Sequence, residues 1–183
     1  PVRPDDLIAD VIRELIARSG IDGAAVDDVI LGNTNQAGED SRNIARHAVL
    51  LSGLPVSVPG QTVNRLCASG LAAVVDAARA VTCDEGELFV AGGVESMSRA
   101  PFVMAKAEKA YSRDFTMYDS TIGARFPNPK LIEQFGNDSM PQTGDNVARE
   151  FGISREAADT FAAASQARFE AARQAGFFAE EIQ

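Results

Sequence analysis

From residue 5 to residue 93 the chain passes three times from a helix-like stretch to a short apolar run that ends at glycine or cysteine. This alternation restricts the fold more than any other feature. The pairs Leu7/Ile8, Val11/Ile12 and Leu15/Ile16 recur every four residues, as one face of a helix requires, with Asp5 and Asp6 as expected caps and Gly20 as the stop. Val26 to Leu31 reads as a short strand leaving at Gly32. A second helix is expected over Asn43 to Leu51, ended by Gly53 and Pro55. Gln61 to Leu66 is strand-like and ends at Cys67, the Ala-rich run 68–81 is the third helix, and Glu87 to Ala91 is a strand running into Gly92-Gly93. Helices alternating with short apolar strands imply an α/β fold, a mostly parallel sheet with helices on both faces.

Beyond Ser98 the pattern lapses. Residues 99–142 hold Pro101, Pro127, Pro129 and Pro141 with little periodicity, and read as an extended loop region. Two helical patterns close the chain, one through Val147, Ala148 and Phe151, the other after Ser154 through Phe161, Ala164, Phe169 and Ala172 toward Gly176. At 183 residues the chain is long enough for one well-buried domain and short for two.

Composition narrows the function classes. Hydrophobic residues make up 45%, no uninterrupted apolar run is long enough to span a bilayer, and the first residues lack a basic-then-apolar signal pattern, so no membrane partner is expected. Two cysteines in such different contexts do not form a disulfide framework, which points to a reducing cytoplasm. A net charge of −9 argues against a nucleic-acid partner, which calls for a basic face. Residues 99–130 run against that balance, with Arg99, Lys106, Lys109, Arg113, Arg125 and Lys130 opposed by Glu108, Asp114 and Asp119. A basic window in an acidic chain suits a polyanionic ligand, and it also suits a solvated charged loop.

Cys67 is the candidate nucleophile. It stands where a strand ends and a helix begins, and a helix start offers unpaired N–H groups and the positive end of the helix dipole, both of which favour an anion such as a thiolate. A lone cysteine in the same place is also compatible with an inert core residue. The surrounding wording decides between them. Val63-Asn64-Arg65-Leu66-Cys67-Ala68-Ser69-Gly70, followed by Ala91-Gly92-Gly93-Val94-Glu95-Ser96-Met97-Ser98, resembles the thiolases, the enzymes that form or cleave 3-oxoacyl-CoA thioesters.

The resemblance implies a thiolase-like fold, with residues 1–98 as the N-terminal half of the core, its first strand absent, and 99–183 as the loop domain that covers CoA. It implies that Cys67 accepts the acyl group, and that Met140 and Leu131 line the pantetheine channel. Coenzyme A and acyl-CoA are the implied substrates, with no permanently bound cofactor, no metal, and a homodimeric or homotetrameric complete protein. Asn35 to Asp40, Ser98 to Met104, Thr121 to Gly123 and Asp138 to Pro141 look most like the beta-ketoadipyl-CoA thiolases. Ala124 and Gly144-Asp145 depart from that pattern.

Some of the chemistry has no counterpart in the chain. Thiolases carry a catalytic histidine in a Gly-His-Pro segment and a second cysteine in a Cys-x-Gly segment, and neither segment occurs here. His47, the only histidine, reads as a surface or packing residue, and Cys83 lies in the wrong context for the second cysteine. The chain is therefore expected to be the first half of a thiolase, inactive alone, with an apolar sheet face left uncovered. The Gly92-Gly93 pair is expected to pack tightly near Cys67 rather than to cradle phosphate. Ser96 lacks the Gly-x-Ser-x-Gly setting of a hydrolase nucleophile. The competing readings are an acetyl-CoA acetyltransferase, a non-catalytic acyl-CoA-binding subunit, and a ketoacyl synthase.

Overall fold

The computed structural model describes residues 2–113 and 115–182. They form two compact units, Pro1–Phe126 and Pro127–Gln183. The first runs α1 (Pro4–Ser19), β1 (Asp28–Gly32), α2 (Ile44–Ser52), β2 (Gly60–Val63), α3 (Ser69–Thr82) and β3 (Phe89–Gly93), then β4 (Phe102–Met104) and β5 (Met117–Asp119). The strands β2, β1 and β3 lie side by side in that order, all parallel, with Gly32 level with Val63 on one side and Gly93 on the other.

Alternation along β1 sorts the helices. Val29 and Leu31 face a core built with Ile8 and Ile12 of α1 and Ile44, Ala45, Ala48 and Val49 of α2. Ile30 faces the other way, onto Ala73 and Ala77 of α3. Each large aliphatic residue fully buried here contributes about 1.5–3 kcal/mol over leaving it in water. The α/β reading, a parallel sheet with helices on both faces, therefore holds.

The uncovered apolar face lies elsewhere than expected. Both faces of the sheet carry helices of this chain, and the exposed apolar stripe is one layer further out, on α3. Leu71, Val74, Val75 and Val81 follow helical spacing and are 37–68% exposed. The reason is in the helix itself: its inward face is Ser69, Ala73 and Ala77, small enough to sit close on the sheet, which leaves the bulky aliphatics facing outward.

Two local expectations are corrected. Asp5 and Asp6 do not cap α1. Arg3 holds the N-cap position, Pro4 opens the helix, and the two aspartates lie in the first turn, where negative charge suits the helix dipole. Residues 99–126, expected to be irregular, hold the antiparallel pair β4–β5 with Val103 opposite Tyr118. This segment is tied within the first unit. Ser120 Oγ donates to Pro101 O at 2.6 Å, Arg99 pairs with Glu39, and Arg125 donates to the side chain and carbonyl of Asn35.

The described residues of the second unit form three helices, α4 (Pro129–Phe135), α5 (Met140–Glu150) and α6 (Arg155–Gln174). Local chemistry starts each one. Asn128, Ser139 and Ser154 cap them, and Ser139 with Gln142 forms a reciprocal capping box. No described residue of these helices is buried.

Candidate active site

Three strand exits converge at the carboxyl end of the parallel sheet, the end at which open α/β sheets bind ligands. Asn33 ties them together. Its N–H donates to Val63 O at 3.1 Å, its side-chain amide donates to Val94 O at 2.7 Å, and Val94 N–H donates to Gly32 O at 3.0 Å. Asn33 is 1% exposed, so these bonds are shielded from water.

Glycine lets α3 reach this point. A Cβ on Gly32 would lie 2.4 Å from Ser69 C and 2.5 Å from Gly70 N, and one on Gly93 would lie 2.9 Å from Gly32 O and 3.5 Å from Gly70 Cα. No side chain fits, and the first turn of α3 rests directly on the exits of β1 and β3. Gly93 thus accounts for the tight packing expected of the glycine pair, whereas Gly92 makes only ordinary contact.

Cys67 is exposed in the turn between β2 and α3. The helix begins at Ser69 with Ala68 as N-cap, so Cys67 lies one residue ahead of the cap, in neither strand nor helix. Its predecessor Leu66 has φ 52°, the left-handed region. For a bulky residue this costs about 1–3 kcal/mol and persists only where the surroundings over-determine it.

A ring of hydrogen bonds does so here. Ser69 Oγ donates to Leu66 O at 2.6 Å and accepts from Arg65 N–H at 2.8 Å. Thr34 Oγ1 also donates to Leu66 O, at 3.1 Å. Asn64 Oδ1 accepts from Leu66 N–H at 2.9 Å, while its amide donates to Thr34 O at 3.0 Å. Glu95 completes the ring by accepting from Thr34 N–H at 2.8 Å and Asn35 N–H at 3.3 Å. Each of the three strand exits contributes: Thr34 after β1, Asn64 after β2 and Glu95 after β3.

The other residues singled out in the sequence belong to other elements. Leu131 lies on α4 and Met140 in the first turn of α5, both exposed and both in the second unit. His47 is half-buried on α2 and takes no part in the hydrogen bonds around Cys67. Cys83 caps the far end of α3, roughly 20 Å from Cys67 by helix rise, which excludes a disulfide between them. Ser96 precedes a short 3₁₀ turn, Met97–Arg99. Of the basic window, Arg99 and Arg125 are engaged in holding Glu39 and Asn35. The Arg99 hydrogen bond also draws the Glu39 carboxyl below its usual range. No cluster of His, Cys, Asp and Glu able to hold a metal occurs among the described residues. A shallow depression lined by Phe161, Ala164 and Arg168 follows one face of α6 and carries no cysteine or histidine.

Sequence reasoning does not single out Ser69, Thr34, Asn64 or Glu95. Asn64, Ser69 and Glu95 stand inside the two thiolase-like motifs, and that position is their one signal. Thr34 carries none, because its role depends on β1 and β2 being neighbours.

Residues 1–183 match the thiolase N-terminal domain family. The chain is 58% identical over 182 residues to the beta-ketoadipyl-CoA thiolase of Pseudomonas aeruginosa, an alignment covering 99% of this chain and 45% of that protein. The 3-oxoadipyl-CoA/3-oxo-5,6-dehydrosuberyl-CoA thiolase of Escherichia coli K12 matches with the same identity and coverage. An acetyl-CoA acetyltransferase of P. aeruginosa is 42% identical over 178 residues, 97% of this chain and 44% of that protein. Among solved structures, the Bacillus anthracis acetyl-CoA acetyltransferase superposes with a TM-score of 0.84 at 30% identity, covering all of this chain and 45% of the other. The chain thus spans about half the length of the relatives it matches. With an exposed cysteine set where three strand exits meet, and a family match along its whole length, this chain belongs to the thiolase family.

Proposed function

We propose that this chain carries the nucleophile half of a thiolase that transfers an acyl group between CoA and Cys67, and that its degradative substrate is 3-oxoadipyl-CoA. The observation that carries the reading is the exposed Cys67 thiol in a braced turn at the carboxyl end of the sheet. The 58% identity to beta-ketoadipyl-CoA thiolases supports the substrate.

The reaction follows from thiol chemistry. The Cys67 thiolate attacks the 3-oxo carbon, the C2–C3 bond breaks with its electron pair retained on C2, and protonation of that enolate gives acetyl-CoA. The acyl group is left on Sγ. Attack by the thiol of free CoA forms the new thioester and returns the Cys67 thiolate, so that 3-oxoadipyl-CoA yields acetyl-CoA and succinyl-CoA. In this second half one thioester replaces another of similar energy, so that acyl transfer between Cys67 and CoA is open in both directions. The Cys67 N–H is a proposed donor to the oxyanion.

The acid and base this scheme needs are assigned to the length that the relatives have and this chain does not, as is the surface that covers the α3 stripe. Residues 99–183 are assigned to covering CoA, with Leu131 and Met140 against its pantetheine arm. A homodimer or homotetramer is the proposed assembly. The second reading is an acetyl-CoA acetyltransferase, favoured by the 42% identical relative and by the solved structure.

The test uses the full reading frame that contains this chain. Its kcat/KM is compared for 3-oxoadipyl-CoA, acetoacetyl-CoA and 3-oxopalmitoyl-CoA at two ionic strengths, with Cys67→Ser as control. Preference for 3-oxoadipyl-CoA, reduced by salt and abolished by Cys67→Ser, is expected. Preference for acetoacetyl-CoA selects the second reading, and full turnover by Cys67→Ser rejects both. The isolated 183-residue chain should not turn over.

A further inference from the structure

We propose that Ser69 is a positioning residue for the nucleophile. Its hydroxyl holds Leu66 in the left-handed conformation that turns Cys67 outward between β2 and α3. The inference rests on the thiolase reading, since it assigns a job inside the same site.

Four observations converge on it. Leu66 is a bulky residue with positive φ and is 67% exposed, so packing does not hold it there. The hydroxyl that reaches it is in the opposite situation: Ser69 is 5% exposed and sits against the exit of β1, where Gly32 has no room for a side chain. That single oxygen grips the chain on either side of the 65–66 dipeptide, accepting from Arg65 N–H and donating to Leu66 O. The Ser69 N–H and Thr34 Oγ1 supply longer bonds to the same carbonyl, at 3.0 and 3.1 Å, and Thr34 Oγ1 lies 3.4 Å from Ser69 Oγ.

A buried serine at the first position of a helix often serves its own helix, but here the N-cap is Ala68, which makes no side-chain cap bond. The Ser69 hydroxyl points back across the turn instead of forward along α3. Replacing it with hydrogen would leave the Arg65 N–H without that acceptor and remove the shortest bond to the Leu66 carbonyl, loosening the hold on the left-handed residue. A nucleophile displaced by about an ångström can lose on the order of a hundredfold in rate.

Positioning separates from stability once the strain that the hydroxyl opposes is removed. Glycine adopts positive φ freely. In the full reading frame, Ser69→Ala should lower thiolysis kcat on the order of ten- to a hundredfold, with KM for the acyl-CoA changed less than about twofold. Adding Leu66→Gly should recover a large part of that kcat. Hydrogen exchange of the residue 66 amide, which donates to Asn64, gives a readout independent of turnover. It should accelerate about tenfold in Ser69→Ala and slow again in the double variant.

If Ser69→Ala leaves kcat and the residue 66 amide unchanged, the proposal is wrong. It is equally wrong if the loss tracks a lower melting temperature and Leu66→Gly recovers neither quantity, because Ser69 would then be an ordinary packing residue. A wild-type protein that exchanges normally but shows no thiolysis overturns the thiolase reading alone. In that case exchange at residue 66 still decides whether Ser69 holds the turn.

Discussion

In residues 1–126, Val29, Leu31, Ile44 and Val49 are almost wholly removed from water between a sheet and two helices. In residues 127–183, Phe135, Phe151 and Phe161 are at least as apolar, yet 70–79% of each is exposed. Both regions contain amphipathic helices, and side-chain caps are the more regular in the second. The difference is the sheet. A parallel strand such as β1 offers apolar side chains to both faces at once, so helices arriving from either side bury their stripes. Three helices without such a partner keep theirs in water. Amphipathic spacing therefore reports that a helix forms and says little about whether its stripe is buried.

The largest expected effect is in hydrogen exchange. Amides of β1 should exchange on the order of a thousandfold or more slowly than those in the middle of α5 and α6, because only the former need a large opening to reach water. Equal protection in the two regions, read by mass spectrometry, would break the comparison. Substitution comes next. Leu31→Ala should cost about 2–5 kcal/mol, against about 0.5 kcal/mol or less for Phe161→Ala, both from urea unfolding curves. A costly Phe161→Ala would mean that α6 has a partner in solution.

The smallest expected effect is in acid. Arg3 holds the Asp5 carboxyl below its usual range by a hydrogen bond, and the Leu88 and Glu87 N–H groups do the same for Asp27. A carboxylate depressed in the folded state stabilises it above the ordinary carboxylate pKa, and that contribution disappears as pH falls through the folded value. Stability of the first unit should therefore be flat from neutral pH to about pH 5 and decline below about pH 4. Asp27→Asn should flatten part of that decline. If the variant shows the wild-type acid curve in circular dichroism, the bond from Asp27 to the start of β3 does not matter for folding.

Part of this architecture is legible in the sequence. The alternation of elements from residue 5 to 93 implies the parallel sheet, and Cys67 falls at its junction because a strand, a cysteine and an Ala-rich helix are contiguous in the chain. The strands β4 and β5 escape a sequence reading because Phe102 to Met104 and Met117 to Asp119 are each too short to display a period. The exposed stripe is expected on the sheet and lies on α3, since small residues at 69, 73 and 77 do not announce which side of a helix faces inward. The bracing of the Cys67 turn is least legible of all. Thr34, the Asn64–Ser69 stretch and Glu95 come from separate parts of the sequence, and only the order of the strands brings them together.

The close seating of α3 on Gly32 also bears on attempts to engineer this chain for durability. Replacing glycine with alanine is a common hardening strategy, because it restricts the unfolded chain. Gly144, inside α5, has nothing within 4 Å of the place an added methyl would take and is open to that change. At Gly32 the same methyl would drive into the backbone of Ser69 and lift the start of α3 away from the strand exits. Compensating changes that restored heat tolerance there would not return the thiol to its place. A screen scored on melting temperature alone would then favour a sturdier protein with its nucleophile misplaced.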